Sequence, residues 1–192
     1  MKKYLTIIAL AFLTACGGSD QKPGDEAEKD TPLAQSKNSA GFNDKFSRFL
    51  DHYYHLKDAF VLSNDAMAVA HAKMLTASAD SLDMNEVKAD SSIVEMGKQY
   101  VASVSAEAKA LVGEKDLEAK RKSFQMISDA MYDLVRTVRY DQGTVYHQFC
   151  PMAFNDAGAY WLSATADIKN PYFGKKMLTC GEVKDSIDFR GK

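Results

Sequence analysis

The stretch GFNDKFSRFLDHYYHLKDAF, residues 41–60, decides the fold. Its apolar positions Phe42, Phe46, Phe49, Tyr53, Leu56 and Phe60 recur at steps of 4, 3, 4, 3 and 4. That spacing puts all six on one face of an α-helix and none of them on a consistent face of a strand. The surroundings agree. No proline occurs between Leu33 and Cys150, and the only glycines between Phe42 and Gln142 are Gly97 and Gly113. A many-turned β-fold needs far more breakers than that.

Working downstream, Asn64 has the character of an N-cap for a second helix. Its expected stripe is Met67, Ala70, Met74 and Ala77, fading near Asp80 to Asn85. A third helix is expected over residues 92–112, with Ile93, Met96, Tyr100, Val104 and Leu111 inward and Gly113 as its stop. A fourth is expected from about Asp116 to Tyr140, with Leu117, Phe124, Ile127, Met131, Leu134 and Val138 inward and Gly143 just beyond. Four helices with short links predict an antiparallel four-helix bundle. After Gly143 the composition changes: residues 144–181 hold two prolines, three glycines, two of the three cysteines and seven of the twenty aromatics. This reads as a small irregular cap of short strands and turns, about residues 144–188, closing one end of a mainly α domain over residues 41–188.

Upstream, Met1-Lys2-Lys3, an apolar run from Tyr4 to Leu13 and Thr14-Ala15-Cys16 have the form of a signal peptide over residues 1–15. Leu13-Thr14-Ala15-Cys16 resembles the bacterial lipobox, which implies a lipidated Cys16 as the mature N-terminus and a membrane anchor made of acyl chains. Cleavage there leaves 177 residues and, with Lys2 and Lys3 gone, moves the formal charge from −2 to −4. Gly17 rather than an acidic residue follows Cys16, which favours the outer membrane, with the domain facing the periplasm. Residues 17–40 are charged, carry Gly and Pro and contain no aromatic, so they read as a disordered tether after the lipidated Cys16. A flexible chain of that length spans roughly 27 Å.

Composition excludes several classes. No apolar run reaches the length of a bilayer span, and three cysteines in 192 residues are too few for a disulfide scaffold. The near-neutral charge, without a basic run, argues against nucleic acid as a partner. Gly-x-Ser-x-Gly, His-Glu-x-x-His, Gly-x-x-x-x-Gly-Lys and Cys-x-x-Cys are all absent, and no enzymatic role is expected.

The chemistry concentrates in the cap. Cys150-Pro151-Met152 and Met177-Leu178-Thr179-Cys180 place a methionine two or three residues from each cysteine, in mirrored order. Thiolate and thioether are soft donors that suit Cu(I) or Ag(I) far better than hard cations. Pro151, Asn170-Pro171 and Gly174 supply turns able to aim the two pairs at one point. Cys150, Met152, Met177 and Cys180 are therefore candidate ligands, with His147 as a fifth. The alternative is a Cys150–Cys180 disulfide, expected of an exported pair and worth about 3–4 kcal/mol for a loop of this size; no metal is then required. Elsewhere, His52 and His55 share a helix face, and Met67, His71 and Met74 stand at i, i+4 and i+7. The first pair is expected on a solvated face; the methionines of the second are expected in the core, with His71 at its boundary.

The cap strings Cys150 to Ala153, Gly158 to Ser163, Asn170 to Gly174 and Met177 to Gly181 resemble a bacterial family, domain of unknown function 3347. The segments Tyr54 to Ala59 and Arg121 to Phe124 extend the likeness into the helices, over about residues 45–187, with the cap expected to be strongest. Members of that family are exported or lipid-anchored single domains, or are appended to periplasmic adaptors of heavy-metal efflux pumps. The resemblance thus implies copper or silver handling, with an efflux adaptor or another copper carrier as partner.

Overall fold

A computed structural model describes residues 38–191. The signal peptide, the lipidation site Cys16 and most of the tether lie outside the described residues. Four long helices follow one another: α1 (Ala40–Val61), α2 (Asp65–Asp80), α3 (Ser91–Gly113) and α4 (Leu117–Thr137). The links between α1 and α2 and between α3 and α4 are three residues each, so the chain must reverse at both. Side chains cap three of the starts. Ser39 Oγ accepts the Phe42 N–H at 3.1 Å, Asn64 Oδ1 the Met67 N–H at 3.1 Å, and Asp116 Oδ1 the Ala119 N–H at 2.8 Å.

The α1 stripe is buried at all six expected positions, and the α4 stripe at all but half-buried Leu117. These two helices meet through large rings: Phe124 lies 5.5 Å from Tyr53 and 5.0 Å from Phe60, centroid to centroid. The middle helices differ from expectation. On α2 the buried stripe is Ala68, Ala72, Leu75 and Ala79, while Met74 and Ala70 face outward. Small side chains bury there because they admit the close approach of neighbouring helices; Met67 packs half-buried at the edge of that contact and Met74 rides outside it. On α3, Val104 and Leu111 are buried as expected, but Ile93 and Met96 are exposed. The packed face runs through Gly97, Val101, Val104, Ala108 and Leu111 instead. Gly97 makes room for Met84: a Cβ would stand 2.4 Å from Met84 Cε and push aside the end of that side chain, which belongs to a 3₁₀ turn at Met84–Glu86. Gly113 is the last residue of α3 rather than a stop beyond it.

The cap is a three-stranded antiparallel sheet, β1 (Val145–Cys150), β2 (Ala159–Ser163) and β3 (Glu182–Ile187), in the order β2-β1-β3. A hydrogen-bonded relay through Tyr53 ties it to the bundle. The Leu162 N–H of edge strand β2 donates to Tyr53 Oη at 2.9 Å, and Tyr53 Oη shares a 2.8 Å hydrogen bond with Ser128 of α4. Trp161 is wholly buried, its ring edge-on to that of Tyr172. Among the described residues, no helix is long and apolar enough to cross a membrane.

Candidate functional site

Cys150 ends β1, and Cys180 stands two residues before β3. The register pairs Phe149 with Glu182 on one side and Cys150 with Ala159 on the other, which carries Cys180 back to the end of β1. Gly181 makes the return tight. Its φ is +144°, and a Cβ there would sit 2.8 Å from both the Phe149 carbonyl oxygen and the Trp161 ring. The outcome is a Cys150 Sγ to Cys180 Sγ separation of 3.5 Å, with both cysteines free. Cys150 is buried and Cys180 half-buried, so the pair opens to solvent on one side only. The hydrogen bond shared with Cys150, followed by desolvation, raises the Cys180 thiol above its ordinary value. The Cys180 thiol therefore holds its proton more firmly than an ordinary cysteine, and that proton must leave before the sulfur can act as thiolate.

Polar side chains hold the long loop that delivers Cys180. Gln148, wholly buried on β1, donates through Nε2 to the carbonyls of Thr165, Ala166 and Asp167 at 3.0–3.2 Å. Asn170, also wholly buried, accepts the Tyr172 and Phe173 N–H groups on Oδ1 and donates Nδ2 to the Cys180 carbonyl at 2.7 Å. The turn at Asn170-Pro171 was legible as such; the reach of Asn170 to Cys180 was not. Arg121 on α4 donates to the Pro171 carbonyl at 2.9 Å and to Ser63 Oγ at 3.1 Å, fastening the same loop to the bundle. Tyr172 completes the anchor by donating from its hydroxyl to the Tyr160 carbonyl.

The remaining candidates are placed less centrally. Met152 lies in the turn after Pro151 and is exposed. Just beyond it, Phe154, Asn155 and Asp156 all adopt left-handed backbone, with φ of 53°, 57° and 65°. Met177 ends a short 3₁₀ turn (Gly174–Met177), is half-buried, and meets Cys180 through its carbonyl, which accepts the Cys180 N–H at 3.1 Å. His147, the fifth candidate, lies apart from the cysteine pair. It precedes Cys150 by three residues on β1 and so leaves the opposite face of the strand. There its ring stacks between Tyr132 and Tyr160, at centroid distances of 3.9 and 4.5 Å. Burial in that stack pushes the imidazole down to about 4. Among the described residues, no three His, Cys, Asp or Glu side chains gather as a metal-binding group. Any centre built on the cysteine pair therefore relies on thioether, solvent or a partner for its other ligands.

These features define a class: a helical bundle closed by a small antiparallel cap in which two thiols are held in contact. A family model described as "Protein of unknown function (DUF3347)" matches residues 49–143 and supports the assignment to that family. The match covers the helical body from within α1 to the end of the α4–β1 link, and stops before the cap, where the likeness was expected to be strongest. No curated protein and no solved structure matches the chain.

Proposed function

We propose that this protein is a lipid-anchored protein of the bacterial envelope that binds a soft metal ion, Cu(I) or Ag(I). It would sequester the ion or hand it to a heavy-metal efflux adaptor or another copper carrier. The observation that carries the reading is the 3.5 Å separation of the two free sulfurs. Two sulfurs bound at about 2.3 Å to one tetrahedral cation stand about 3.8 Å apart, so little movement separates this dithiol from a chelate. Met152 and Met177, on the loops that bear the cysteines, offer thioethers that bind without losing a proton. The partly open side at Cys180 gives an incoming or outgoing carrier access, and ligands can then be exchanged one at a time.

The test is an anaerobic Cu(I) titration of the reduced full chain against a competing chelator, beside a Cys150→Ser, Cys180→Ser double variant. The reading predicts one tightly held equivalent that the double variant lacks; equal retention by both proteins overturns it. The same separation favours a second reading, a structural or interaction module stapled by a Cys150–Cys180 disulfide. Closing 3.5 Å to about 2.05 Å needs only side-chain rotation if the backbone suits. In that case air oxidation consumes both thiols, and reduction lowers stability without creating a copper site.

A further inference from the structure

A second cluster of donor side chains lies on α1 and α2, away from the cap. His55 of α1 and His71 of α2 face each other with ring centroids 5.2 Å apart and planes inclined by 31°. We propose that His55 and His71 form a separate site for a borderline divalent cation, Cu(II) foremost. Metal–imidazole bonds are about 2.0–2.1 Å, so the ring centres of two imidazoles on one cation stand about 4.5 Å apart at a square-planar cis angle and about 5.2 Å apart at a tetrahedral one. The observed 5.2 Å lies within about 1 Å of both values, so small side-chain rotations bring the two rings onto one ion. Imidazole suits Cu(II), Zn(II) and Ni(II), and Cu(II) leads that series in affinity.

The surroundings supply further donors. The Nδ1 atoms of His52 and His71 are both buried and make no hydrogen bond. Burying such atoms unpaired carries a desolvation cost that a bound cation would offset. His52 lies one turn before His55 on the same face of α1, so rotation of its side chain offers a third nitrogen. Met74, one turn beyond His71, is 49 % exposed rather than packed in the core, and Ala68, Ala72, Leu75 and Ala79 take the buried face of α2. Of the track Met67, His71 and Met74, Met67 packs at the core edge, while half-buried His71 and exposed Met74 lie beside the packed stripe. Burial, then the neighbouring His55 and His52, lower the His71 imidazole below its ordinary value, with Asp58 opposing. Its ring therefore keeps a free lone pair at neutral pH.

The site is independent of the cysteine pair, and the experiment separates the two. Untagged full chain carrying Cys150→Ser and Cys180→Ser is titrated with Cu(II) and examined by electron paramagnetic resonance. The expected result is one bound equivalent with nitrogen coupling from two imidazoles, lost when His55→Gln and His71→Gln are added. Circular dichroism of the same samples verifies the fold, and both positions are surface-facing enough for the swap to be mild. His52→Gln alone should leave two-nitrogen coupling in place. Absence of bound Cu(II), or the same spectrum and stoichiometry after both histidine substitutions, overturns the proposal. Loss of Cu(I) binding at the cysteines would leave this result unaffected, and the converse also holds.

Discussion

In the helical body the fully buried side chains are Phe42, Phe46, Phe49, Leu56, Phe60, Phe124, Ile127 and their like, and shape holds them together. In the cap, two of the fully buried side chains are Gln148 and Asn170, each making several hydrogen bonds to backbone carbonyls or amides. Apolar packing is additive and tolerant of swaps of similar volume. Directional hydrogen bonds fix one loop path and leave large penalties when one partner is removed. The body therefore supplies stability, while the cap specifies where two sulfurs sit. Tyr53, Arg121 and Tyr172 join the two regimes: Tyr53 Oη accepts the Leu162 N–H, Arg121 donates to the Pro171 carbonyl, and the Tyr172 ring packs 5.9 Å from that of Phe124.

Four substitutions sharpen this contrast. The largest effect is expected for Phe46→Ala, which removes a ring packed against Phe42, Phe49 and Tyr140. Urea unfolding should show a loss of about 3–5 kcal/mol, while Cu(I) affinity of the remaining folded protein stays unchanged. Asn170→Ala should cost less, about 2–3 kcal/mol, because it leaves buried amides and the Cys180 carbonyl unpaired. Its signature is a marked fall in Cu(I) affinity measured by chelator competition, the reverse of the Phe46→Ala pattern. Arg121→Met should cost about 1–2 kcal/mol in the same unfolding assay and raise hydrogen exchange in the loop around Pro171. Uniform exchange across bundle and cap would show that the two are not separately held.

The last effect appears only as the pH falls and is the smallest at neutral pH. His147 is held at about 4 in the folded chain, against roughly 6.5 when unfolded. The unfolded state therefore binds its proton first on acidification, and this contribution to stability, full above about pH 6.5, is lost as the pH falls toward 4. Asp129 acts the other way. Burial, then the nearby Asp133, raises its carboxyl to about 6, so the folded state takes up that proton first and gains stability between roughly pH 6 and 4. His147→Phe should keep the aromatic stack and leave only the Asp129 slope. A wild-type and variant pH profile of unfolding that superimpose would remove the stacked histidine from the account.

How much of this was legible in the sequence depends on residue size. On α1, large aromatics at helical spacing leave one possible inner face. On α2, Met67 and Met74 outweigh Ala68 and Ala72 in apolar bulk, yet helix contact selects the small residues. On α3, the first turns pack through Gly97, whose lack of a side chain carries no hydrophobic signal, so the apolar Ile93 and Met96 lie exposed while Val104 and Leu111 further along are buried. The juxtaposition of Cys150 and Cys180 was legible because turns and paired spacing announce it. The supports were not. Gln148 and Asn170 bond to backbone groups 10 to 19 residues away, and no periodicity or composition encodes such reach.

The central claim, that the cysteine pair holds a soft ion, is tested most directly by copper X-ray absorption on the reduced full chain loaded with one equivalent of Cu(I). The account predicts a first shell of sulfur alone, at about 2.3 Å, which disappears in the Cys150→Ser, Cys180→Ser variant. A shell of nitrogen or oxygen, or the same sulfur shell in the double variant, would contradict it.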